Sequence, residues 1–216
     1  MSAEDIRDYF IQRCSPEYKN IPEFLLDAEK EHARRLSPVI NASQSWRNVK
    51  GLGLEKVLEH IITQKLKPHN LELISVEEAS DKVEIDFGDY GSHLPDVDLI
   101  VYQPSRERIL AILSIKSSLR ERATQTAYWR LKLHAQSNTK NIRVFLLTPN
   151  SDNDLRRRPR KKKNRAVLET DIDAIYVVNR PEFNLDDYLY PGLESRIRLI
   201  DELADDLAEL AARKYL

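Results

Sequence analysis

Two apolar segments, Leu99–Tyr102 and Ile109–Lys116, are separated by only six polar residues, Gln103–Arg108. Short apolar runs joined by a polar turn of this length predict two adjacent strands of one sheet. Asp98 stands at the start of the first strand and Lys116 at the end of the second. In an antiparallel pair these two ends meet, so the sequence predicts a carboxylate beside a lysine at one edge of the sheet.

The rest of the chain alternates helical and strand patterns. Helices are predicted over residues 4–13, 22–36, 52–66, about 120–137 and 193–216, and further strands over 71–76, 82–87, 143–148 and 172–178. The sequence therefore predicts an α/β fold with a central mixed β-sheet flanked by helices. We expect one domain over 1–216, with an N-terminal helical segment (1–42), a catalytic core (43–192) and a C-terminal helix (193–216).

Composition excludes several classes of protein. The 216 residues are 41% hydrophobic and 32% charged, as in a soluble globular domain, and no apolar run is long enough to span a membrane. The N-terminus lacks the features of a secretory signal, so we expect a cytoplasmic protein. Cys14 is the only cysteine, which rules out an internal disulfide and makes a zinc site improbable.

The predicted strand ends carry residues suited to phosphodiester hydrolysis. A carboxylate can hold a divalent cation such as Mg²⁺, and a lysine beside it can orient the attacking water. Asp98 and Asp96 are the candidate carboxylates, and Lys116 shares a strand face with Ser114. The alternative is a solvated salt bridge without a catalytic role, which is the commoner explanation of an Asp–Lys pair at a strand end.

The residues from Asp98 to Ser105 and the triplet Ser114–Lys116 resemble the core hairpin of PD-(D/E)xK nucleases, particularly type II restriction endonucleases. The resemblance covers about residues 43–148. It implies a PD-(D/E)xK nuclease core in which Asp98 (or Asp96) and the backbone carbonyl of Ile115 bind the metal while Lys116 assists water.

The resemblance also implies a glutamate on the helix before the sheet. Glu55 fits this position best, although Glu59, one turn later, is a further candidate. Ser114 departs from the pattern, because Asp or Glu is usual there. Ser114 stays among the candidate catalytic residues but cannot supply a carboxylate, so the second acidic ligand is expected to come from Glu55. The alternative is that only one metal is bound or that catalysis is impaired.

The segment Lys116–Arg122 is similar to the recognition segment of restriction enzymes that cut CCGG- and CCNGG-type sites. Arginine can bond both guanine O6 and N7, and glutamate accepts from cytosine N4. This implies that Arg120 and Arg122 read guanines and that Glu121 reads neighbouring cytosines. For an isolated Arg-Glu-Arg, a solvated helix start is the commoner explanation.

A basic segment, residues 156–165, is predicted as a loop. Its eight cations in ten positions suit contacts to the DNA backbone, although a disordered basic insertion is the alternative. The candidate backbone contacts are Arg156, Arg157, Arg158, Arg160, Lys161, Lys162 and Lys163. Trp46 is expected to lie in the core rather than to stack on a base.

Together these patterns predict a Mg²⁺-dependent type II restriction endonuclease that cuts both strands of double-stranded DNA at a short C:G-rich site and leaves 5′-phosphates. Cleavage of a palindrome favours a homodimer. Two rivals stay open: another nuclease of the same superfamily that acts in repair or junction resolution, and a catalytically silent DNA-binding module.

Overall fold

The structure, a computed structural model, describes residues 1–36, 41–119, 122–157, 162–178, 184–190 and 194–213, apart from the side chain of Asn48. The helices are α1 (Ala3–Arg13), α2 (Ile21–Arg35), α3 (Ala42–Leu66), α4 (Ser80–Val83), α5 (Arg122–His134), α6 (Lys163–Asp171) and α7 (Leu203–Ala212). The strands are β1 (Glu72–Ile74), β2 (Ile85–Asp86), β3 (Ser92–His93), β4 (Leu99–Gln103), β5 (Arg108–Ile115), β6 (Arg143–Thr148), β7 (Ala174–Val177) and β8 (Ile197–Leu199). No helix of the described residues combines the length and the apolar character of a membrane span.

Six strands form one mixed sheet in the order β1-β4-β5-β6-β7-β8, which confirms the predicted α/β architecture. β1, β4 and β5 pair antiparallel, and β5 to β8 pair parallel. Parallel neighbours need crossover connections, and α5 and α6 provide them between β5, β6 and β7. β2 and β3 form a separate two-stranded hairpin.

Each face of the sheet is covered by its own helices, because successive residues of a strand point to opposite faces. In β5, Leu113 and Ile115 join the cluster that contains buried residues of α1, α2, α3 and α7. Ile112 instead packs with α4 and with Leu133 of α5. α5 and α6 share a third cluster with alternate residues of β6 and β7.

α3 is longer than predicted and begins at Ala42, where the Asn41 side chain accepts a hydrogen bond of 3.0 Å from the Gln44 amide. Such an Asn cap satisfies an amide that the first turn of a helix leaves unpaired. Trp46 is buried in the core, as predicted. The long helix carries Leu54, Val57 and Leu58 into the main cluster.

Two predicted elements have a different secondary structure over part of their length. The segment 82–87 is not one strand, because α4 ends at Val83 and β2 covers only Ile85 and Asp86. The predicted helix over 193–216 is wrong in its first half: Ile197–Leu199 form the edge strand β8, and α7 begins only at Leu203. The apolar spacing of residues 199–210 fits one long helix as well as a strand followed by a helix, because the end of the strand continues the apolar spacing of the helix that follows.

The basic segment is not a loop throughout. Its last residues open α6, which the sequence did not predict. Pro159 and the run of cations favour a loop locally, but Arg165 and Leu168, three residues apart, are both buried against the rest of the molecule. Tertiary burial of one helix face therefore outweighs the unfavourable local composition.

Candidate active site

Asp98 and Lys116 meet at the end of β4 and β5. The Asp98 amide donates to the Leu113 carbonyl, which extends the β4–β5 ladder to Asp98. Asp98 Oδ2 accepts from Lys116 Nζ at 2.8 Å and from the Ile115 amide at 2.5 Å. The two side chains are only 17% and 8% exposed, so this is a largely buried ion pair rather than a solvated one.

Asp98 keeps one oxygen free for another ligand. Oδ1 has no hydrogen-bond partner among the described residues, because both bonds are made by Oδ2. The Ile115 amide, rather than its carbonyl, faces Asp98, so a metal contact through the carbonyl of Ile115 stays a prediction. Lys116 is held by its own backbone as well, since its amide donates to the Leu147 carbonyl of β6.

Glu55 reaches the same place from α3. It lies in one cleft with Asp98 and Lys116, although 43 residues separate it from Asp98 along the chain. Burial raises the pKa of the Glu55 carboxyl, and the nearby charge of Asp98 raises it further. Glu55 forms no hydrogen bond or ion pair within the described part of the chain. It is thus a partly buried carboxylate without a cationic partner of its own.

The cleft is lined by residues from three parts of the chain. They are Arg47, Lys50, Gly51, Leu52 and Glu55 of α3; Asp98 and Ile115–Ser118 at the strand ends; and Arg122, Ser151 and Asp152. Glu59 is not among them, and its carboxylate pairs with Lys56 at 2.9 Å. Of the two glutamates that the sequence offered, Glu55 is therefore the one that the fold brings to Asp98.

Two predicted catalytic residues lie outside this cleft. Asp96 is exposed and accepts a hydrogen bond from Gln125 of α5. Ser114 is buried, and its hydroxyl is 3.2 Å from that of Thr126, also on α5. Both side chains thus contact α5 rather than Glu55, and a catalytic role for either of them stays a prediction without a contact to support it.

Of the three predicted base-reading residues, Arg122 lies in the cleft. Arg122 is exposed, lines the cleft and is the first residue of α5. Its amide donates to the carbonyl of the buried residue Leu119 at 2.7 Å. Arg120 and Glu121 lie outside the described residues. Base reading by the three side chains stays a prediction.

The basic segment supplies four described candidates for backbone contacts: Arg156, Arg157, Lys162 and Lys163. None of these four lines the cleft, and Arg158, Arg160 and Lys161 lie outside the described residues. Lys162 Nζ donates to the Asn153 carbonyl at 2.7 Å and lies 3.5 Å from Asp154. A role of this segment in DNA binding stays a prediction.

Arg165 in the same segment has a structural role. It is only 4% exposed and donates to the Leu155 carbonyl at 2.7 Å. It also pairs with Glu169 at 2.9 Å and stacks on the Tyr190 ring. Arg165 therefore holds the turn that follows β6.

That turn brings Asp152, which the sequence did not single out, into the cleft. Asp152 Oδ2 accepts from the Leu119 amide at 2.7 Å, so the carboxylate holds the chain directly before Arg120, the first of the predicted base-reading residues. The sequence marks Asp152 only as a residue that follows the predicted strand 143–148, and its contact with Leu119 depends on the fold.

The residues around Asp98 suit a hard divalent cation. Mg²⁺ prefers oxygen ligands and keeps several waters, so one or two carboxylates suffice to hold it. Asp98 Oδ1 and the Glu55 carboxylate offer such oxygens, and neither forms a hydrogen bond with the described residues. Within the described ranges, no three or more His, Cys, Asp or Glu residues lie close enough together to hold a metal ion.

Comparison with known proteins identifies the class. The family model for BsaWI restriction endonuclease type 2 matches residues 72–197, which is more than half of the chain and includes β4, β5 and α5. The chain belongs to this family. It is therefore a type II restriction enzyme, a site-specific endonuclease that acts on DNA.

Named relatives agree with this assignment. The chain is 37% identical over 155 residues to MjaVIP of Methanocaldococcus jannaschii, a protein named as a type II restriction enzyme, covering 64% of this chain and 68% of the relative. It is 34% identical over 143 residues to HpyAORF263P of Helicobacter pylori, named in the same way, covering 60% and 72%. The fold resembles the solved structure of the restriction endonuclease AgeI in complex with DNA, with a TM-score of 0.54, 16% identity and coverage of 96% and 91%.

Proposed function

We propose that Glu55, Asp98 and Lys116 form the catalytic site of a Mg²⁺-dependent endonuclease that cuts both strands of a short C:G-rich duplex site. One observation carries the proposal: a partly buried glutamate that forms no ion pair with any described residue lies in one cleft with the buried Asp98–Lys116 pair. A charge left so uncompensated is costly unless a ligand neutralises it. A divalent cation between the two carboxylates would do so.

The three side chains divide the work. Asp98 Oδ1 and Glu55 would hold the cation, which when bound polarises the scissile phosphate and lowers the pKa of a water. Lys116 Nζ is fixed by Asp98 Oδ2 at 2.8 Å, and from there it orients the attacking water by a hydrogen bond. Hydrolysis in this arrangement breaks the bond to the 3′ oxygen and leaves a 5′-phosphate.

The site preference rests on the segment Lys116–Arg122. Its similarity to the recognition segment of enzymes that cut CCGG- and CCNGG-type sites, together with Arg122 at the cleft, favours guanine and cytosine as the bases read. Cutting both strands of a two-fold symmetric site requires two active sites, so we propose a homodimer. Such an enzyme works on the DNA of the cytoplasm.

Sequencing the ends of digested DNA tests the proposal. Plasmid DNA is incubated with the wild-type enzyme and Mg²⁺, and we expect discrete fragments whose 5′-phosphate ends share one C:G-rich sequence. The matched controls are the same reaction with chelator and the Asp98→Asn variant with Mg²⁺. Cleavage that persists in both controls would exclude the proposed site, and ends without a common sequence would exclude the proposed preference.

A further inference from the structure

α3 contains two glycines in its interior, and packing among the described residues requires only one of them. Glycine is a poor residue for a helix interior, so its presence calls for a local cause. A Cβ atom at Gly53 would lie 2.6 Å from Ile6 Cδ1, so the close packing of α1 on α3 requires Gly53. A Cβ atom at Gly51 would meet no heavy atom of the described residues within 4 Å.

Gly51 lies in the cleft, in line with the catalytic glutamate. Residues four apart share one face of a helix, so Arg47, Gly51 and Glu55 follow one another along α3. All three line the cleft. Arg47 is exposed and has no ion-pair partner among the described residues. At 1.5 Å per residue, Arg47 and Glu55 are about 12 Å apart along the helix axis, with the bare backbone of Gly51 between them.

We propose that these three residues, the α3 row, form a contact surface for the sugar-phosphate backbone of one DNA strand. The scissile phosphate lies at the Glu55 end of the row, the DNA strand passes closest to α3 at Gly51, and a flanking phosphate pairs with Arg47. This proposal rests on the proposed function, since it assumes that DNA is cut in the cleft.

Charge and shape both support this assignment. A bound duplex presents a row of phosphates, and a cation one or two steps from the cut pairs with them without reading sequence. A side chain at position 51 would project into the cleft between Arg47 and Glu55, which is where the backbone has to approach. The absence of a side chain therefore serves the bound DNA, because no described residue packs where that side chain would lie.

The test replaces Gly51 by residues that favour helix. Gly51→Ala and Gly51→Gln are measured for melting temperature and for binding to a random-sequence duplex with Ca²⁺ in place of Mg²⁺. We expect both variants to melt at a higher temperature than wild type. Affinity should fall about tenfold for Gly51→Ala, which is the loss of roughly one good contact, and further for Gly51→Gln.

Unchanged affinity in both variants would overturn the proposal, as would a lower melting temperature in Gly51→Ala, because the glycine would then serve the free fold. Gly53→Ala is the matched control within α3 and should melt at a lower temperature, since its Cβ meets Ile6.

Arg47→Ala tests the cationic end of the row. It should weaken binding to all sequences and lower the slope of log affinity against log salt by about one. Lys140→Ala, which removes an exposed cation outside the cleft, should leave the slope unchanged. An unchanged slope in Arg47→Ala would overturn the phosphate contact.

These outcomes are distinguishable from failure of the proposed function. If Asp98→Asn still cleaved DNA, the proposed catalytic site would be excluded. If Asp98→Asn lost cleavage while the Gly51 variants bound DNA normally, only the proposed DNA contact of the α3 row would be excluded.

Discussion

The cleft has two walls that are held in place by different forces. The helix wall, Arg47–Glu55 of α3, is positioned by apolar packing beneath it, through Leu54 and through Gly53 against Ile6. The strand-end wall consists of Asp98, Ile115–Ser118, Arg122 and Asp152, and it is held by polar contacts of the side chains that line the cleft. Asp98 accepts from the Ile115 amide and from Lys116 Nζ, and Asp152 accepts from the amide of the buried Leu119.

This difference predicts how the two walls respond to substitution. On the helix wall the residues proposed to face DNA are not the ones that pack beneath the helix, so function and stability should separate. On the strand-end wall one side chain serves both purposes, and a substitution should change both. Residual cleavage and the free energy of unfolding, measured together, distinguish the two behaviours.

The largest effect is expected for Lys116→Ala. Loss of a positioned proton-transfer or water-orienting group lowers cleavage by about 10²–10⁴-fold. The same change leaves the buried Asp98 carboxylate unpaired, at a cost of about 3 kcal/mol in unfolding free energy. Chemical denaturation and single-turnover cleavage measure the two quantities.

The double variant Asp98→Asn with Lys116→Met is the control for Lys116→Ala. It removes both charges and should regain most of the stability while cleavage stays absent. If Lys116→Ala lost cleavage at full stability, the strand-end wall would behave like the helix wall and the comparison would fail.

Asp152 carries the next prediction. Asp152→Ala removes a 2.7 Å hydrogen bond to the Leu119 amide, which costs about 1.5–3 kcal/mol for a charged acceptor. Because Leu119 directly precedes the predicted base-reading residues Arg120–Arg122, we expect cognate DNA to lose more affinity than random DNA. Competition binding with the two duplexes measures this difference.

Asp152→Asn keeps an acceptor oxygen and should recover much of the discrimination between the two duplexes. Equal losses on both duplexes in Asp152→Ala would assign Asp152 to general stability instead.

The strand-end wall was largely predictable from the sequence, because a short hairpin decides which residues meet. Asp98 and Lys116 follow from two apolar runs and the turn between them. Asp152 did not follow, since its place depends on β6 pairing parallel to β5 and on the buried Arg165 that holds its turn. Such long-range contacts leave no local pattern.

The helix wall was predictable only in part. The spacing of apolar residues after Leu54 predicts the second half of α3. Gly51 and Gly53 are unfavourable in a helix, so the sequence does not indicate that the first turns of α3, which contain Trp46, belong to the same helix. Glu55 was chosen through the resemblance to nucleases, because helix periodicity alone does not distinguish it from Glu59. The pairing of Glu59 with Lys56 is visible only in the fold.

Glu55→Gln should show the opposite behaviour to Lys116→Ala. The raised pKa of Glu55 means that the folded state favours the neutral carboxyl, so its contribution to stability is full below the unfolded pKa and is lost as pH rises through the folded pKa. At neutral pH without metal, Glu55→Gln should therefore melt a few degrees higher than wild type while cleavage falls. The gain should vanish as pH drops toward 4.

Thermal melts over this pH range, with and without Mg²⁺, check the prediction for Glu55. Mg²⁺ should stabilise the wild type more than Glu55→Gln, because only the wild type offers both carboxylates. A variant that melts below wild type at neutral pH would show that Glu55 holds the fold.

The smallest effect is expected for Ser114→Ala, which tests where the strand-end wall stops. The Ser114 hydroxyl contacts Thr126 beneath α5, and Thr126 keeps a second contact to the Arg122 carbonyl. Loss of one neutral hydrogen bond should cost about 1 kcal/mol. Cleavage per folded molecule should stay close to wild type, since the side chain lies outside the cleft; a large fall in single-turnover rate would instead return Ser114 to the catalytic group that the sequence predicted.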